Sequence, residues 1–397
     1  MTIPNIVFWS VTVNFLLYLM NWSTNIREPV YDVTYYVIGT IQLIFFIYSF
    51  AKRQGIDKST KYRLKKISCG RVSVQFSIIL LVGCLLLCVI ENYLMFGGLI
   101  ASDSSSHTSS IPLISPMLKA LYPVAGIAAF IDYDNSKKKS ILIWAGIVLI
   151  YSIVGAKGRF WSLIALGVTL VYMSSRNYAK YVTRKSISWF SAIKTRYKVL
   201  IFATIAGALY YLLNMGAARI NTYTYAQLLG YNGPGEGKMI GDVLAWYYGY
   251  FPFSFYNLNT TLNSIVQSGQ YSLGQFLLIP YAAFLHITDL LGWDYGALTY
   301  GTRIIQINVA TVATGYYEAY KDFGPLFFIS ILSYVAITRL FEAKTSFFAK
   351  ACFSYMAVVW FFMSFLNVYT VGVVVYYYIF VYIIDRYIAI REENTSE

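Results

Sequence analysis

A series of apolar runs constrains this chain more than any other feature of its sequence. Each run is roughly 18–22 residues long, which is the length that a helix needs to cross the hydrocarbon core of a bilayer. Charged residues make up 12% of the chain and hydrophobic residues 58%, whereas soluble domains carry about 25% charged residues. The sequence therefore predicts an all-α polytopic membrane protein. The ten predicted spans are 3–22, 30–51, 72–92, 112–131, 140–156, 160–175, 199–215, 325–341, 351–368 and 370–387.

Lysine and arginine residues orient these spans, because cytoplasmic connectors carry an excess of both. The connector 52–71 alone contains eight basic residues. Under strict alternation of ten spans, 23 of the 31 basic residues fall on the side of this connector and the others fall on the opposite side. Both termini are therefore predicted to be cytoplasmic. The net charge of +13 is explained by these basic cytoplasmic connectors. No nucleic-acid partner is therefore expected.

The stretch 216–324, between the seventh and eighth spans, is the one long segment that is not predicted as membrane helices and short connectors. A loop of this length is usually functional or disordered, and its aromatic and Leu/Ile content argues against disorder. The chain is thus predicted to form a bundle of seven spans (1–215), a large extracytoplasmic loop (216–324), and a bundle of three spans with a short cytoplasmic tail (325–397). We expect the functional part in the loop.

Two apolar segments inside this loop, 242–258 and 273–292, are candidates for further contact with the membrane. If both crossed it, the chain would have twelve spans with unchanged topology elsewhere. Pro252 and Pro280 favour helices that lie at the interface or re-enter the membrane. The aromatic residues of 246–250 suit the headgroup region, and they would also suit stacking against sugar rings.

Sequence motifs exclude several classes of enzyme. The chain lacks the GxxxxGK[ST], HExxH, CxxC and GxSxG motifs. Its two histidines cannot form a multi-histidine metal site. No metal ion and no cofactor is therefore expected. Arginine on the predicted outer face is the remaining candidate for chemistry, because a guanidinium stays charged and can bind two phosphate oxygens at once.

Arg159 lies in GAKGRFWSL, a break between the fifth and sixth spans. The sixth helix begins on the predicted outer side, so its N-terminus adds unpaired N–H groups and a positive dipole. With Lys157 beside it, this helix end predicts an anion site. The alternative is a tight turn whose basic residues touch lipid phosphate.

Further candidates lie in the long loop. Arg303 lies well inside it, whereas Arg219 directly follows the seventh span and could be an interface anchor. Glu318 and Asp322 would share a helix face, where they could orient Arg303 or supply a general base, or they could be solvated residues at a helix end. His286 is a candidate base, although a lone histidine on an apolar stretch is more often structural.

The order of these features resembles the O-antigen and capsule polymerases, the bacterial oligosaccharide repeat-unit polymerase family. The matching parts are the GAKGRFWSL break, the large late outward loop, and NVATVATGYYEAYKDFGPLFFISIL, which leads into a span. That last stretch resembles the family's Tyr, Asp-Phe-Gly and apolar-helix pattern, and Gly324-Pro325 is predicted to begin the eighth span with proline at the first helical position. The resemblance covers the layout of the chain, but specific residues only at about 155–167 and 296–331.

The resemblance implies a metal-independent glycosyltransferase of the GT-C type in the bacterial inner membrane. Such enzymes use undecaprenyl-pyrophosphate-linked oligosaccharide as donor and acceptor: a hydroxyl of one unit attacks the anomeric carbon of another chain, and the lipid pyrophosphate leaves. The catalytic candidates are then Arg159, Arg303, Arg219 and His286. The substrate-binding candidates are Lys157, Tyr316, Tyr317, Glu318 and Asp322. Membrane lipid, a chain-length regulator and a flippase are the candidate partners.

Two other functions remain open. An O-antigen ligase, which moves finished glycan to a lipid core, uses the same donor and differs in its acceptor. A flippase or other transporter would predict a duplicated architecture and charged residues in mid-span. Here mid-span charges are few, with Lys119 the main case, and one outer loop dominates. The polymerase is therefore the preferred interpretation.

The predicted topology can be tested by cysteine labelling. Single cysteines placed at Ser104, Gly235 and Gly269 should react with a membrane-impermeant thiol reagent added to intact cells, because these positions lie in predicted outward loops. A cysteine at Ser59, in the basic connector, should react only after permeabilisation. Labelling at position 59 but not at 235 in intact cells would reverse the orientation.

Overall fold

The computed structural model describes residues 3–59, 74–99, 111, 114–136, 138–154, 159–181, 222–293, 304–306, 314–344, 346–364, 367 and 373–394. Within these residues the chain is mainly helical and contains no β-strand, apart from an isolated bridge between Ser23 and Tyr231. The helices are α1 (Ile3–Leu19), α2 (Asp32–Ser59), α3 (Val74–Phe96), α4 (Ile114–Ser136), α5 (Lys139–Val154), α6 (Arg159–Tyr181), α7 (Thr222–Leu229), α8 (Met239–Tyr250), α9 (Pro252–Ser268), α10 (Gln275–Phe284), α11 (Tyr316–Phe323), α12 (Phe328–Ala343), α13 (Phe347–Phe362) and α14 (Val373–Asn394).

Several of these helices are apolar enough to cross a membrane. Asp32–Phe50, Phe76–Met95 and Ile114–Tyr133 have the required length, and a fourth crossing arises if the bent pair Tyr316–Leu326 and Phe328–Glu342 forms one broken span. Shorter apolar helices occur in α1, α5, α6, α10 and α13. The all-helical class is thus confirmed, and the apolar helices are compatible with a membrane protein. The count of ten spans and the GT-C arrangement stay predictions, and the predicted span 199–215 lies outside the described residues.

Two predicted boundaries differ from the structure because of proline. The apolar segment 242–258 is divided into α8 and α9, with the break at Phe251 and Pro252 at the start of the second helix. Proline has no N–H to continue the preceding helix, but it fits the first turn of a new one. The predicted helix start at Gly324-Pro325 corresponds to a short 3-10 helix with proline in its first turn, and not to the start of the α-helix. Gly324–Leu326 form a 3-10 turn, and α12 starts at Phe328.

The chain falls into two compact units. Unit 1 comprises Met1–Arg63, Phe190–Ala336 and Val359–Thr370. Unit 2 comprises Leu64–Trp189, Ile337–Val358 and Val371–Glu397. Each unit is assembled from segments that are distant in sequence. The two units therefore do not coincide with the three consecutive regions 1–215, 216–324 and 325–397.

In unit 2, α4 is the helix against which the others pack. It contacts α3, α5, α6 and α14. Small and aliphatic residues on α4 are buried in this packing, among them Ala125, Ile127 and Ala128. Cys84 and Cys88, one turn apart on α3, are also buried and free. This face of α3 is therefore turned toward the interior of the unit.

In unit 1, α9 is the central helix. Every residue from Pro252 to Leu262 is buried, and α1, α2, α8 and α11 contact α9. A helix buried on all sides is usually apolar all round. This one instead carries the polar run Asn257 to Thr261, so its side chains must find hydrogen-bond partners within the protein.

Asn259 shows how such a partner is supplied. Its Oδ1 accepts hydrogen bonds from the Tyr31 backbone N–H at 2.9 Å and from Thr34 Oγ1 at 2.7 Å. Its Nδ2 donates to the Pro29 carbonyl at 2.8 Å. One buried amide therefore holds the connection between α1 and α2 against α9.

The aromatic residues of 246–250 are used mainly for packing within unit 1. The Trp246 ring stacks with the rings of Tyr225 and Tyr250, whose centroids are 4.6 and 5.0 Å away. Tyr248 is fully buried, and its hydroxyl accepts the Trp22 backbone N–H at 3.0 Å. Of this run only Tyr247 is exposed, because the helical period turns its neighbours inward.

The contribution of the Asn259 amide can be measured by substitution. Asn259→Ala should lower the free energy of unfolding by about 1–3 kcal/mol, because the buried Thr34 hydroxyl and the partly buried Tyr31 N–H lose their acceptor. Thermal unfolding of the purified protein in detergent gives the readout. Asn263→Ala is the matched control, since Asn263 lies on the same helix and makes no side-chain hydrogen bond within the described residues. Equal losses from both substitutions would contradict this role for Asn259.

Candidate functional site

The short helix α11 brings together four of the predicted substrate-binding residues. Tyr316, Tyr317, Glu318 and Asp322 are all buried. Glu318 is 4% exposed and Asp322 is fully buried, so the alternative that both are solvated residues at a helix end is wrong. A carboxylate is rarely buried without hydrogen-bond partners or a paired charge. The partners of these two side chains therefore indicate what each can do.

Glu318 is held by an amide from a distant part of unit 1. Asn367 Nδ2 donates to Glu318 Oε2 at 2.7 Å. Gly315 allows this approach, because its N–H donates to the Met363 carbonyl at 2.9 Å and a Cβ built on it would lie 2.5–2.9 Å from atoms of Asn367. The missing side chain at Gly315 is thus a condition for the contact between Asn367 and Glu318.

Asp322 has a different role, although it lies one turn after Glu318 on the same helix. Its carboxylate accepts the backbone N–H groups of Phe276 and Leu277, each at 2.9 Å, and the Ser272 hydroxyl at 3.0 Å. These N–H groups belong to the first turn of α10, where a helix has no partners of its own. Asp322 therefore caps α10 from outside, and a carboxylate is favoured there by the helix dipole.

The backbone around this cap is fixed by further contacts. The Ser272 N–H donates to the Lys321 carbonyl at 2.8 Å, and Lys321 Nζ donates to the Gln270 carbonyl at 2.7 Å. Gly324 has φ of +55°, a conformation that glycine adopts at low cost, and a Cβ there would clash with the Tyr271 ring. The turn before α10 and the end of α11 thus form one rigid piece of unit 1.

The central helix α9 supplies polar residues that the sequence analysis did not single out. Thr261 Oγ1 accepts the Ile304 backbone N–H at 2.9 Å, and Asn257 Oδ1 accepts the Gln306 N–H at 3.4 Å. Asn257 and Thr261 are four residues apart and lie on one face of the helix. The run NLNTTLN within an otherwise apolar helix was the signal that could have identified them.

The remaining predicted residues are placed as follows. Arg303, Arg219 and Lys157 lie outside the described residues. Arg159 is the first residue of α6, close to the predicted start of the sixth span at residue 160. His286 is exposed and has a left-handed backbone, with φ of +54°, in the turn after α10.

The two tyrosines of α11 are enclosed by the protein. Tyr316 is fully buried and Tyr317 is 3% exposed, and the Tyr317 ring contacts the Phe276 ring with centroids 6.2 Å apart. Neither ring presents a free face to a sugar in this structure. The roles of these two tyrosines, of His286 and of the arginines stay predictions.

Within the part of the chain that the structure describes, no three His, Cys, Asp or Glu side chains come together as candidate metal ligands. Comparison with known proteins adds no further assignment: no protein family, no curated protein and no solved structure matches this sequence.

The capping role of Asp322 predicts a local effect. Asp322→Ala should lower the free energy of unfolding by about 2–3 kcal/mol, because three hydrogen bonds to an ionised group are lost. Hydrogen exchange at the Phe276 and Leu277 amides should accelerate well beyond the change elsewhere in unit 1. Asp289→Ala, at an exposed aspartate after α10, should alter neither quantity. Unchanged exchange in the Asp322 variant would show that the cap does not stabilise α10.

Proposed function

We propose that this protein polymerises undecaprenyl-pyrophosphate-linked oligosaccharide repeat units on the outer face of the bacterial plasma membrane. The product is an O-antigen or capsular polysaccharide. The sequence resemblance described above suggests the reaction. The observation that carries the proposal is the buried polar core of unit 1, formed by Glu318, Asn367 and the polar face of α9.

A buried polar core of this kind needs an explanation in a chain with apolar, membrane-type helices. Ionisable residues in such surroundings are costly, and they mark binding or reaction sites more often than structural ones. Glu318 is buried and bound by Asn367, while Asn257 and Thr261 hold the backbone of residues 304–306. The catalytic candidate Arg303 directly precedes this held segment in the chain. This arrangement supports a reaction site in unit 1 that uses the Glu318 carboxylate and the Arg303 guanidinium.

In the proposed mechanism, arginine cations and the Glu318 carboxylate have different roles. Arginine side chains bind the pyrophosphate of the donor and stabilise the charge that develops as the anomeric bond breaks. Glu318 either orients Arg303 or accepts the proton of the attacking hydroxyl, and a pH profile of the reaction separates these roles. The donor already carries an activated leaving group, so the reaction requires no nucleotide.

Asp322 contributes differently from Glu318 in this proposal. Its carboxylate oxygens already accept three hydrogen bonds from the turn and helix around Ser272 to Leu277. We therefore assign Glu318 as the acidic residue of the reaction and Asp322 as a positioning residue. Glu318→Gln, which keeps an acceptor for Asn367, should stop chain extension at near-normal protein levels.

The glycan pattern of a strain deleted for this gene tests the function and its alternatives. A polymerase deletion should lose long chains while a single repeat unit remains attached to the lipid core. Loss of all attachment would indicate a ligase instead. Accumulation of loaded carrier on the cytoplasmic side would indicate a flippase, and an unchanged ladder would exclude all three roles.

The arginine candidates can be ranked by complementing that strain with variants. Arg303→Ala and Arg159→Ala should each reduce chain extension by roughly 10²–10³-fold, because removal of one preorganised donor to a developing oxyanion costs about 2.7–4 kcal/mol. Arg303→Lys should stay strongly impaired, since an ammonium lacks the two-pronged grip of a guanidinium. Gel laddering of the polysaccharide is the readout.

Two further positions serve as graded controls in the same assay. Arg219→Ala should show an intermediate loss, because this residue directly follows a predicted span. Lys238→Ala should be nearly silent, since Lys238 is exposed immediately before α8. Wild-type extension by both Arg303→Ala and Arg159→Ala would contradict the proposed pyrophosphate contacts.

A further inference from the structure

A cluster of charged, polar and aromatic residues in unit 2 is not used by the function proposed above. We call it the Lys119 cluster, and it consists of Glu91, Ser115, Lys119 and Trp161. These residues come from the last turns of α3, the first turns of α4 and the first turn of α6. The C-terminus of α3 therefore meets the N-termini of α4 and α6 at one end of this helix bundle.

Lys119 carries a positive charge without a contacting carboxylate. Its Nζ lies 5.6 Å from the centroid of the Trp161 ring, and Trp161 is 8% exposed. Lys119 itself is half-buried, and no described carboxylate lies within 4.0 Å of its Nζ. An ammonium withdrawn from water is costly unless a counter-charge approaches it. The aromatic face compensates only part of that cost.

Glu91 attracts Lys119 but is held by another residue. Glu91 is 3% exposed, and its Oε1 accepts a hydrogen bond from Ser115 Oγ. Ser115 lies one turn before Lys119 on α4. The field of Glu91 acts on Lys119 across the interface between α3 and α4, yet the two groups form no contact ion pair. Among the described residues, Glu91 therefore attracts the ammonium without forming a contact ion pair with it.

The start of α6 lies at this end of unit 2. The first N–H groups of a helix have no partner within it and favour a negative charge. The first turn of α6 is fixed to the end of α5 by the hydrogen bond from Ser162 Oγ to Ser152 Oγ, at 2.7 Å. Trp161, which contacts Lys119, is the neighbour of Ser162 in this turn.

We propose that Lys119 binds a phosphate-type oxyanion at this end of unit 2, in the form of phosphate or pyrophosphate. The anion accepts hydrogen bonds from the Lys119 ammonium, and Glu91 limits its affinity by repulsion. The anion belongs either to a lipid headgroup or to a free ion. The binding requires no glycan, so it can be measured whether or not the polymerase proposal is correct.

Calorimetric titration of the purified full-length protein in phosphatidylcholine nanodiscs tests this site. Inorganic pyrophosphate is the probe in one arm, and farnesyl pyrophosphate is the probe in the other. Lys119→Met should weaken binding by about tenfold or more, because a charge-assisted contact is removed. Glu91→Gln should strengthen it several-fold, because the repulsion is removed while an acceptor for Ser115 remains. Lys344→Met, at an exposed lysine after α12, should have no effect.

The two arms also identify the source of the anion. Tighter binding of farnesyl pyrophosphate than of inorganic pyrophosphate indicates a lipid-linked ligand, and equal binding indicates a free anion. Either result supports an oxyanion site if it depends on Lys119. Equal affinity of the wild type and Lys119→Met for both probes would overturn the proposal, as would failure of the wild type to bind either probe.

Thermal unfolding without added anion serves as the control for correct folding of the variants. Lys119→Met should leave the melting temperature unchanged or raise it, since an ammonium that contacts no carboxylate is replaced by an apolar chain. If Lys119→Met lowers the melting temperature, Glu91→Gln decides the question, because it keeps the lysine. An increased affinity in that variant supports the site, and an unchanged or reduced affinity refutes it.

Discussion

The structure of unit 1 depends on hydrogen bonds made by polar residues inside a helix that is buried on all sides. In water such residues could exchange partners freely, but in the interior of α9 each unpaired group would cost free energy. Asn259 binds the connection between α1 and α2, and Asn257 with Thr261 binds the backbone of residues 304–306. The polar face of one helix thereby holds segments from the first and the second stretch of unit 1.

The same constraint separates the roles of two acids that look equivalent in sequence. Glu318 and Asp322 are one helical turn apart, and both are buried. The Asp322 carboxylate accepts the first N–H groups of α10, which have no partner within that helix. Glu318 instead accepts a hydrogen bond from the Asn367 amide. The helix that carries Glu318, α11, packs against α9. The proposed chemistry is therefore assigned to Glu318, while Asp322 holds the backbone at the start of α10.

Helix positions were the most predictable part of the fold. The apolar runs predicted the positions of α1 to α6 and α12 to α14, because period and length are local properties of a sequence, although individual helix ends differ by up to eight residues. Proline placed the break between α8 and α9, although 242–258 had been treated as a single segment. The inward face of α3, with Cys84 and Cys88, could not be predicted, since an apolar helix suits both lipid and protein.

The candidate site was less predictable, because its contacts join residues far apart in the chain. Asn367 reaches Glu318 over 49 positions, and Asp322 reaches Phe276 over 46. No local sequence pattern predicts such long-range contacts. The sequence did place Glu318 and Asp322 on one helix, but it could not distinguish burial from solvation. The small residue Gly315, which permits the approach of Asn367, has meaning only once the fold is known.

Reconstitution tests the central claim, that this membrane protein transfers glycosyl groups between lipid-linked repeat units, more directly than any other measurement. Purified protein in nanodiscs would be mixed with undecaprenyl-pyrophosphate-linked repeat units in excess chelator, and the products resolved by gel. The account predicts a ladder of products with equivalent release of undecaprenyl pyrophosphate, and no ladder with the Glu318→Gln protein. Unconsumed donor with the wild-type protein, or a ladder of equal yield from the Glu318 variant, would contradict it.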